Sequence, residues 1–183
     1  MKKVAVFLIA SFIFLANSKA QIYIADSCRV SFFSAATIED ITAANTISKP
    51  VMSTKTGDIQ ISITNNQFIF RKKLMQEHFN EDYMESDKYP NTVFKGKINE
   101  KVDYTKNGVS NVTVTGTMNM HGVQKTITIP GTITVQNGVI FVTAKFDVKL
   151  TDYNIKVPTV IGSDVGKQIA ITFTATMKPY NAK

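Results

Sequence analysis

Apolar side chains recur at every second position through much of this chain, most clearly in VTVTGTMNMHGVQKTITIPGTITV, residues 112–135. Val112, Val114, Met118, Met120, Ile127, Ile129, Ile133 and Val135 fall on one side of an extended backbone, and threonines occupy much of the other. Successive side chains of a strand point to opposite faces, so the alternation predicts half-buried β-strands. Asn107-Gly108, His121-Gly122 and Asn137-Gly138 sit between such runs. Each is expected to be a two-residue hairpin loop, because these residues accept the positive φ that tight hairpin turns demand.

The loops fix a register. A loop at His121-Gly122 pairs Met120 with Val123, Gly116 with Ile127, Val114 with Ile129 and Val112 with Gly131. A loop at Asn137-Gly138 pairs Val135 with Ile140, Ile133 with Val142, Gly131 with Ala144, Ile129 with Phe146 and Ile127 with Val148. Both keep one apolar face and one threonine-rich face, the half-buried antiparallel pattern. The same period returns in Ile59-Ile61-Ile63, in Thr92-Phe94-Gly96-Ile98 and in Ile169 to Met177, and more weakly in Cys28-Val30-Phe32 and near Ile47 and Val51. About eight sequential antiparallel strands suit an all-β, up-and-down barrel or a sandwich. Gly96, Gly116 and Gly131 fall on the apolar face, where a closed barrel bends or makes room. Between strands, Arg71 to Asn80 spaces Leu74, Met75, His78 and Phe79 as one face of a short helix.

The amino terminus changes the compartment. Met1-Lys2-Lys3, an uncharged stretch from Val4 to Leu15 and Ser18-Lys19-Ala20 before Gln21 read as a secretory signal peptide over residues 1–20, with a single domain over 21–183. The apolar run is short for a membrane-spanning helix, and no later segment is apolar for long enough to be one. The chain carries 21 basic and 14 acidic residues, a net charge of +7; without Lys2, Lys3 and Lys19 the excess falls to about +4. The remaining lysines are scattered and there is no Trp, so nucleic acid is not an expected partner. Cys28 is alone, which leaves no internal disulfide and reads as a small buried hydrophobe.

The segment LMQEHFNEDYMESDKYPNTVFKG closely resembles the signature of the YceI-like family of exported lipid-binding domains, in which a short helix leads to a Ser-Asp/Glu-x-Tyr-Pro turn and a strand bearing Phe. VTGTMNMHGVQKTITIP is similar to the family's hairpin around a His-Gly-Val turn. Asp152-Tyr153 together with Val165-Gly166-Lys167-Gln168-Ile169 is similar to its closing loop and last strand. The resemblance implies a lipocalin-like antiparallel barrel whose dry interior holds a polyisoprenoid or a fatty-acid-like amphiphile. The family's His-Ser pair in the first main strand is missing: Asp26-Ser27-Cys28-Arg29-Val30 has no histidine, and Thr37-Ile38-Glu39-Asp40-Ile41-Thr42 replaces the glycine-bearing segment that follows.

On that reading the lining comprises Val30, Phe32, Phe70, Leu74, Met75, Phe79, Phe94, Val114, Met118, Met120, Ile127, Ile129, Val142, Ala144, Phe146, Ile171 and Phe173. His78 on the helix and Lys125, placed inward opposite Met118, are the candidate head-group contacts. Each has a plainer role: His78 packs on the helix, and Lys125 snorkels out at the rim. His121 is most simply a turn residue. Two histidines and no nucleophile elbow or phosphate-binding glycine loop give enzyme chemistry little support. The acidic cluster Glu77, Glu81, Asp82, Glu85 and Asp87 lacks the spacing of a calcium loop and reads as a solvated face, so no metal and no cofactor are expected.

Three functions compete. The leading one is a non-enzymatic carrier of a long-chain lipid through an aqueous periplasm. An outer-membrane barrel turns the same apolar face to lipid and calls for aromatic girdles and usually a terminal aromatic, whereas this chain has no Trp, its last strand trails into Lys178-Pro179-Tyr180-Asn181-Ala182-Lys183, and the helix at Leu74 to Phe79 is out of place there. A solidly packed interaction module without ligand is the third, since inward residues of a small barrel often fill it.

Overall fold

The computed structural model describes residues 22–35, 39–156 and 168–180. The predicted leader, Thr37-Ile38 and Val165-Gly166-Lys167 lie outside these residues. Among the described residues ten strand segments follow one another: β1 (Ile22–Ser34), β2 (Ile41–Asn45), β3 (Val51–Ser53), β4 (Asp58–Thr64), β5 (Ile69–Phe70), β6 (Asn91–Ile98), β7 (Gly108–Met120), β8 (Val123–Gln136), β9 (Val139–Lys149) and β10 (Gln168–Pro179). Short helix α1 (Lys73–His78) and a π-helical turn, Phe79–Tyr83, stand between β5 and β6.

The ten segments occupy eight places in a closed antiparallel barrel. β2 and β3 lie end to end against β1, β2 on its Val30–Ser34 stretch and β3 on Ile22 to Ile24. Behind them β5 pairs with β2 and β4 with β3, and the wall continues β4-β6-β7-β8-β9-β10 before β10 returns to β1. Two asparagines hold the wall where it breaks. Asn45 accepts at Oδ1 from Ile47 N–H (3.1 Å) and the Ser48 hydroxyl (3.0 Å) and donates to the Thr64 carbonyl. Asn65 donates to the Tyr89 carbonyl at 2.7 Å and accepts from the Thr92 hydroxyl at 2.9 Å. Each replaces ladder bonds that the interrupted strands cannot make, as buried backbone groups require.

The β7–β8 register is the expected one in every pair named above, from Met120 with Val123 to Val112 with Gly131. His121 and Asn137 adopt φ of 51°, followed by Gly122 at 75° and Gly138 at 78°, the signature of tight hairpin turns. Two expectations need correcting. Asn107-Gly108 is not a loop: nine residues, 99–107, separate β6 from β7, and neither Asn107 nor Gly108 has positive φ. Asp103 shapes that connection by accepting from Thr105 N–H at 3.0 Å. Asn107 instead accepts from Asn137 N–H at 2.8 Å, tying this loop to the neighbouring hairpin. The β8–β9 ladder, second, ends at Gly131 and Ala144. Pro130 carries no N–H with which to continue it, so Ile129–Phe146 and Ile127–Val148 are not ladder pairs.

The helix is shorter than the pattern implied. Arg71 and Lys72 precede it, and Leu74 points largely to solvent while Met75, His78 and Phe79 are half-buried.

Gly96 and Gly116 face each other across β6 and β7. A Cβ on Gly116 would lie 2.3 Å from the Lys95 carbonyl oxygen and 2.4 Å from the Gly96 Cα, so only glycine permits the two strands to approach this closely. Gly116→Ala is expected to lower stability by roughly 1–3 kcal/mol, since backbone has to move. Gly108→Ala, with open space at the same position, should leave stability unchanged or slightly raised through loss of denatured-state entropy. Thermal denaturation of the pair checks this; equal melting temperatures would refute the close-approach argument.

Candidate functional site

The inward faces meet differently at the two ends of the barrel. At the end carrying the Asn137-Gly138 turn, Met52, Ile133, Ile140 and Met177 are each at most 1% exposed, and the Tyr23 hydroxyl donates to the Gly138 carbonyl at 3.3 Å. That end is packed solid. Further along, Ile59, Ile63, Val114, Val142, Ala144, Phe146, Ile171 and Phe173 belong to the inner face of a closed wall and yet are only half-buried. A cavity of about 150 Å³ lies between them.

Its lining is almost entirely apolar. The two polar side chains that reach it, Asn65 and Thr92, hydrogen-bond to each other, so the interior offers water no unsatisfied partner. Cavities of this kind stay dry and accept apolar molecules.

A second chamber of about 340 Å³ sits at the mouth, beneath α1 and the π-helical turn. Its walls include Ser34, Glu39, Ile41, Phe70, Lys72, Leu74, Met75, His78, Tyr83, Leu150 and Ile155. Phe32, Phe79, Met84, Met120 and Ile169 line both chambers and form the partition. Phe79 is its centre. Its ring stacks on Phe32 (centroids 5.6 Å, planes 20° apart) and meets Phe68 and Phe70 at 5.5 and 5.0 Å, offset and edge geometries that aromatic quadrupoles favour.

The sequence-derived residues distribute as follows. Val30, Phe94, Val114, Met118, Ile129, Val142, Ala144, Phe146, Ile171 and Phe173 line the inner chamber and not the outer one, Ala144 also bordering a groove beside Gly131 and Thr143. Phe70, Leu74, Met75 and His78 line the outer one, and Phe32, Phe79 and Met120 line both. Ile127 packs half-buried beside the core and reaches neither chamber. Lys125 also reaches neither: its ammonium pairs with Asp152 at 3.2 Å, on the turn after β9.

His121 has more to do than turn the chain. It is buried, its Nδ1 lies 3.1 Å from the Tyr153 carbonyl oxygen and its Nε2 2.8 Å from Glu85, while its ring packs on Tyr89 with centroids 4.4 Å apart. It thereby joins the β7–β8 hairpin, the segment after the π-helical turn and the turn after β9. The periodicity marked His121 only as a turn residue, because all three partners are remote in sequence. Ser34, Ile41, Tyr83, Met84 and Ile169 were also missed at the site; Ser34 and Ile169 continue the inward alternation of β1 and β10, which is the signal that points to them.

Among the described residues no cluster of three or more His, Cys, Asp or Glu side chains is placed to hold a metal, and no helix is long and apolar enough to cross a membrane.

The family model for the YceI-like domain matches residues 16–177. The fold is similar to the solved structure of a polyisoprenoid-binding domain from Saccharophagus degradans implicated in plant cell wall breakdown, with a TM-score of 0.72 and 16% identity over 86% of this chain and 98% of that one. It is also similar to BcnA of Burkholderia cenocepacia (TM-score 0.68, 16% identity, 81% and 95% covered) and to a YceI protein of Campylobacter jejuni (TM-score 0.55, 16% identity, both chains fully covered). No curated protein matches the sequence significantly.

The lone thiol is chemically quiet. Burial raises the Cys28 pKa to about 11, and only the thiolate is a good nucleophile. At pH 8 the native protein should resist iodoacetamide while the guanidine-unfolded chain reacts fully; rapid alkylation of native protein, read by mass spectrometry, would show that Cys28 is not held in the wall.

Proposed function

The chain belongs to the YceI-like domain family, and on that premise we propose that it binds a polyisoprenoid or another long-chain amphiphile inside the barrel and carries or sequesters it outside the cytoplasm, without covalent chemistry. The observation that carries this reading is the apolar cavity: inward residues of the wall remain half-buried because nothing of the protein fills the space between them. The binding function of the Saccharophagus degradans relative supports it, and the amino-terminal leader pattern supports export.

Size decides how the ligand lies. The inner cavity, about 150 Å³, falls below the roughly 300–1,000 Å³ of ordinary ligand sites, and the outer chamber, about 340 Å³, stands at the lower edge of that range. A chain too long for the outer chamber extends into the inner one by displacing the Phe79 partition. Burial contributes about 0.8 kcal/mol per CH₂, so ten carbons supply roughly 8 kcal/mol before the losses of immobilisation. Chain length and shape are then selected more sharply than any single polar contact.

Ala144 tests the hollow directly, since it lines the inner chamber opposite Gly131. Ala144→Trp should abolish uptake of a long-chain isoprenoid and leave the melting temperature of ligand-free protein nearly unchanged, because the ring enters empty volume. In a filled barrel the same change overpacks the core and costs about 1–3 kcal/mol. A large stability loss, together with no lipid uptake by the parent protein, would end the carrier reading in favour of a packed interaction module. Native mass spectrometry of protein from its own source supplies the ligand's mass.

A further inference from the structure

Among the described residues the outer chamber holds one buried polar atom with no partner. Ser34 is 3% exposed, continues the inward face of β1 after Phe32, and lines the chamber wall; its hydroxyl makes no hydrogen bond among the described residues, the one buried side-chain polar atom there left so. Buried polar groups are normally satisfied, and an orphaned one calls for a reason such as a ligand contact. The charged groups on this wall are otherwise engaged. Lys72 pairs with Glu39, which also takes Arg71 at 3.1 Å, and His78 pairs with Asp82 at 2.7 Å.

We propose that Ser34 is the head-group contact of the bound lipid and that the head group is uncharged: an alcohol, carbonyl or carboxamide seated in the outer chamber, with the chain running inward past Phe79. This rests on the lipid-binding reading above. A hydroxyl is both donor and acceptor and suits each of these groups. An anionic head meets Lys72 only where the Glu39 carboxylate already holds it, so it gives up hydration for a cation it must share. The preference thus follows from which partners are already taken, and it excludes Lys125, which is held away from both chambers by Asp152.

Three probes with equal carbon chains separate the possibilities: geranylgeraniol, geranylgeranyl phosphate and the hydrocarbon phytane, each competing for a fluorescent long-chain isoprenoid. The parent protein should favour the alcohol over both others. Ser34→Ala should weaken geranylgeraniol about 3- to 10-fold, the range of one neutral hydrogen bond, leave phytane unaffected, and melt no lower than the parent, since the serine makes no bond in the free protein. Equal losses for alcohol and hydrocarbon, or tighter binding of the phosphate by the parent, would overturn the assignment. If phytane and geranylgeraniol bind alike in both proteins, the barrel remains a lipid site and the Ser34 assignment falls; if none of the three competes, both readings fall together.

Discussion

Backbone hydrogen bonding between β1 and β10 turns this sheet into a ring, and nearly everything else depends on it. The pairing runs from Tyr23 with Pro179 to Phe33 with Ala170. Without it the alternation that places apolar residues on one face would leave that face in water and present two unpaired edges to other chains. With it, the sheet closes through backbone pairing at this seam rather than through side-chain packing. The wall can therefore stand while the space inside is only partly filled.

Filling is graded along the axis. The end near Ile140 and Met177 is as dense as an ordinary core and anchors the ring, while the middle opens into the dry cavity and the mouth is covered by α1 and the π-helical turn. Shape at the wall follows from backbone approach: Gly96 and Gly116 let β6 and β7 close up, and the bulge at Asp26 on β1, where the register against β10 shifts between Ala25 and Ser27, keeps Ala25 and Cys28 both inward with two exposed residues between them.

That bulge also explains what the sequence hid. Strict alternation made β7 through β10 legible, down to the pairs in the His121-Gly122 hairpin, whereas the two consecutive outward residues of β1 concealed its first half. The interrupted β2–β3 and β4–β5 places were weak in the pattern because Asn45 and Asn65 bridge them with side-chain bonds that no periodicity encodes. Asn107-Gly108 misled for a related reason: the dipeptide is permissive for a turn but does not compel one, and Asn107 is used against the neighbouring hairpin instead. The inner lining was readable, since it is simply the inward face. Of the outer chamber the helix side was readable, through Leu74, Met75, His78 and Phe79, but Ser34, Ile41, Leu150 and Ile155 were not, because it forms where a loop-borne helix, the end of β1 and the turn after β9 converge.

The cover over that chamber is held by few residues. A helix of six residues has little stability of its own, and α1 is fixed mainly from outside: Gln76 accepts from Phe70 N–H at 3.4 Å, Asn80 accepts from the Ser86 hydroxyl at 2.8 Å, His121 meets Glu85, and Phe79 inserts among Phe32, Phe68 and Phe70. The same ring that anchors the cover also divides the two chambers. On the proposed lipid-binding reading, a chain that occupies both has to move Phe79, which would loosen the cover at the mouth, so access and occupancy would be tied through one side chain rather than through a separate lid.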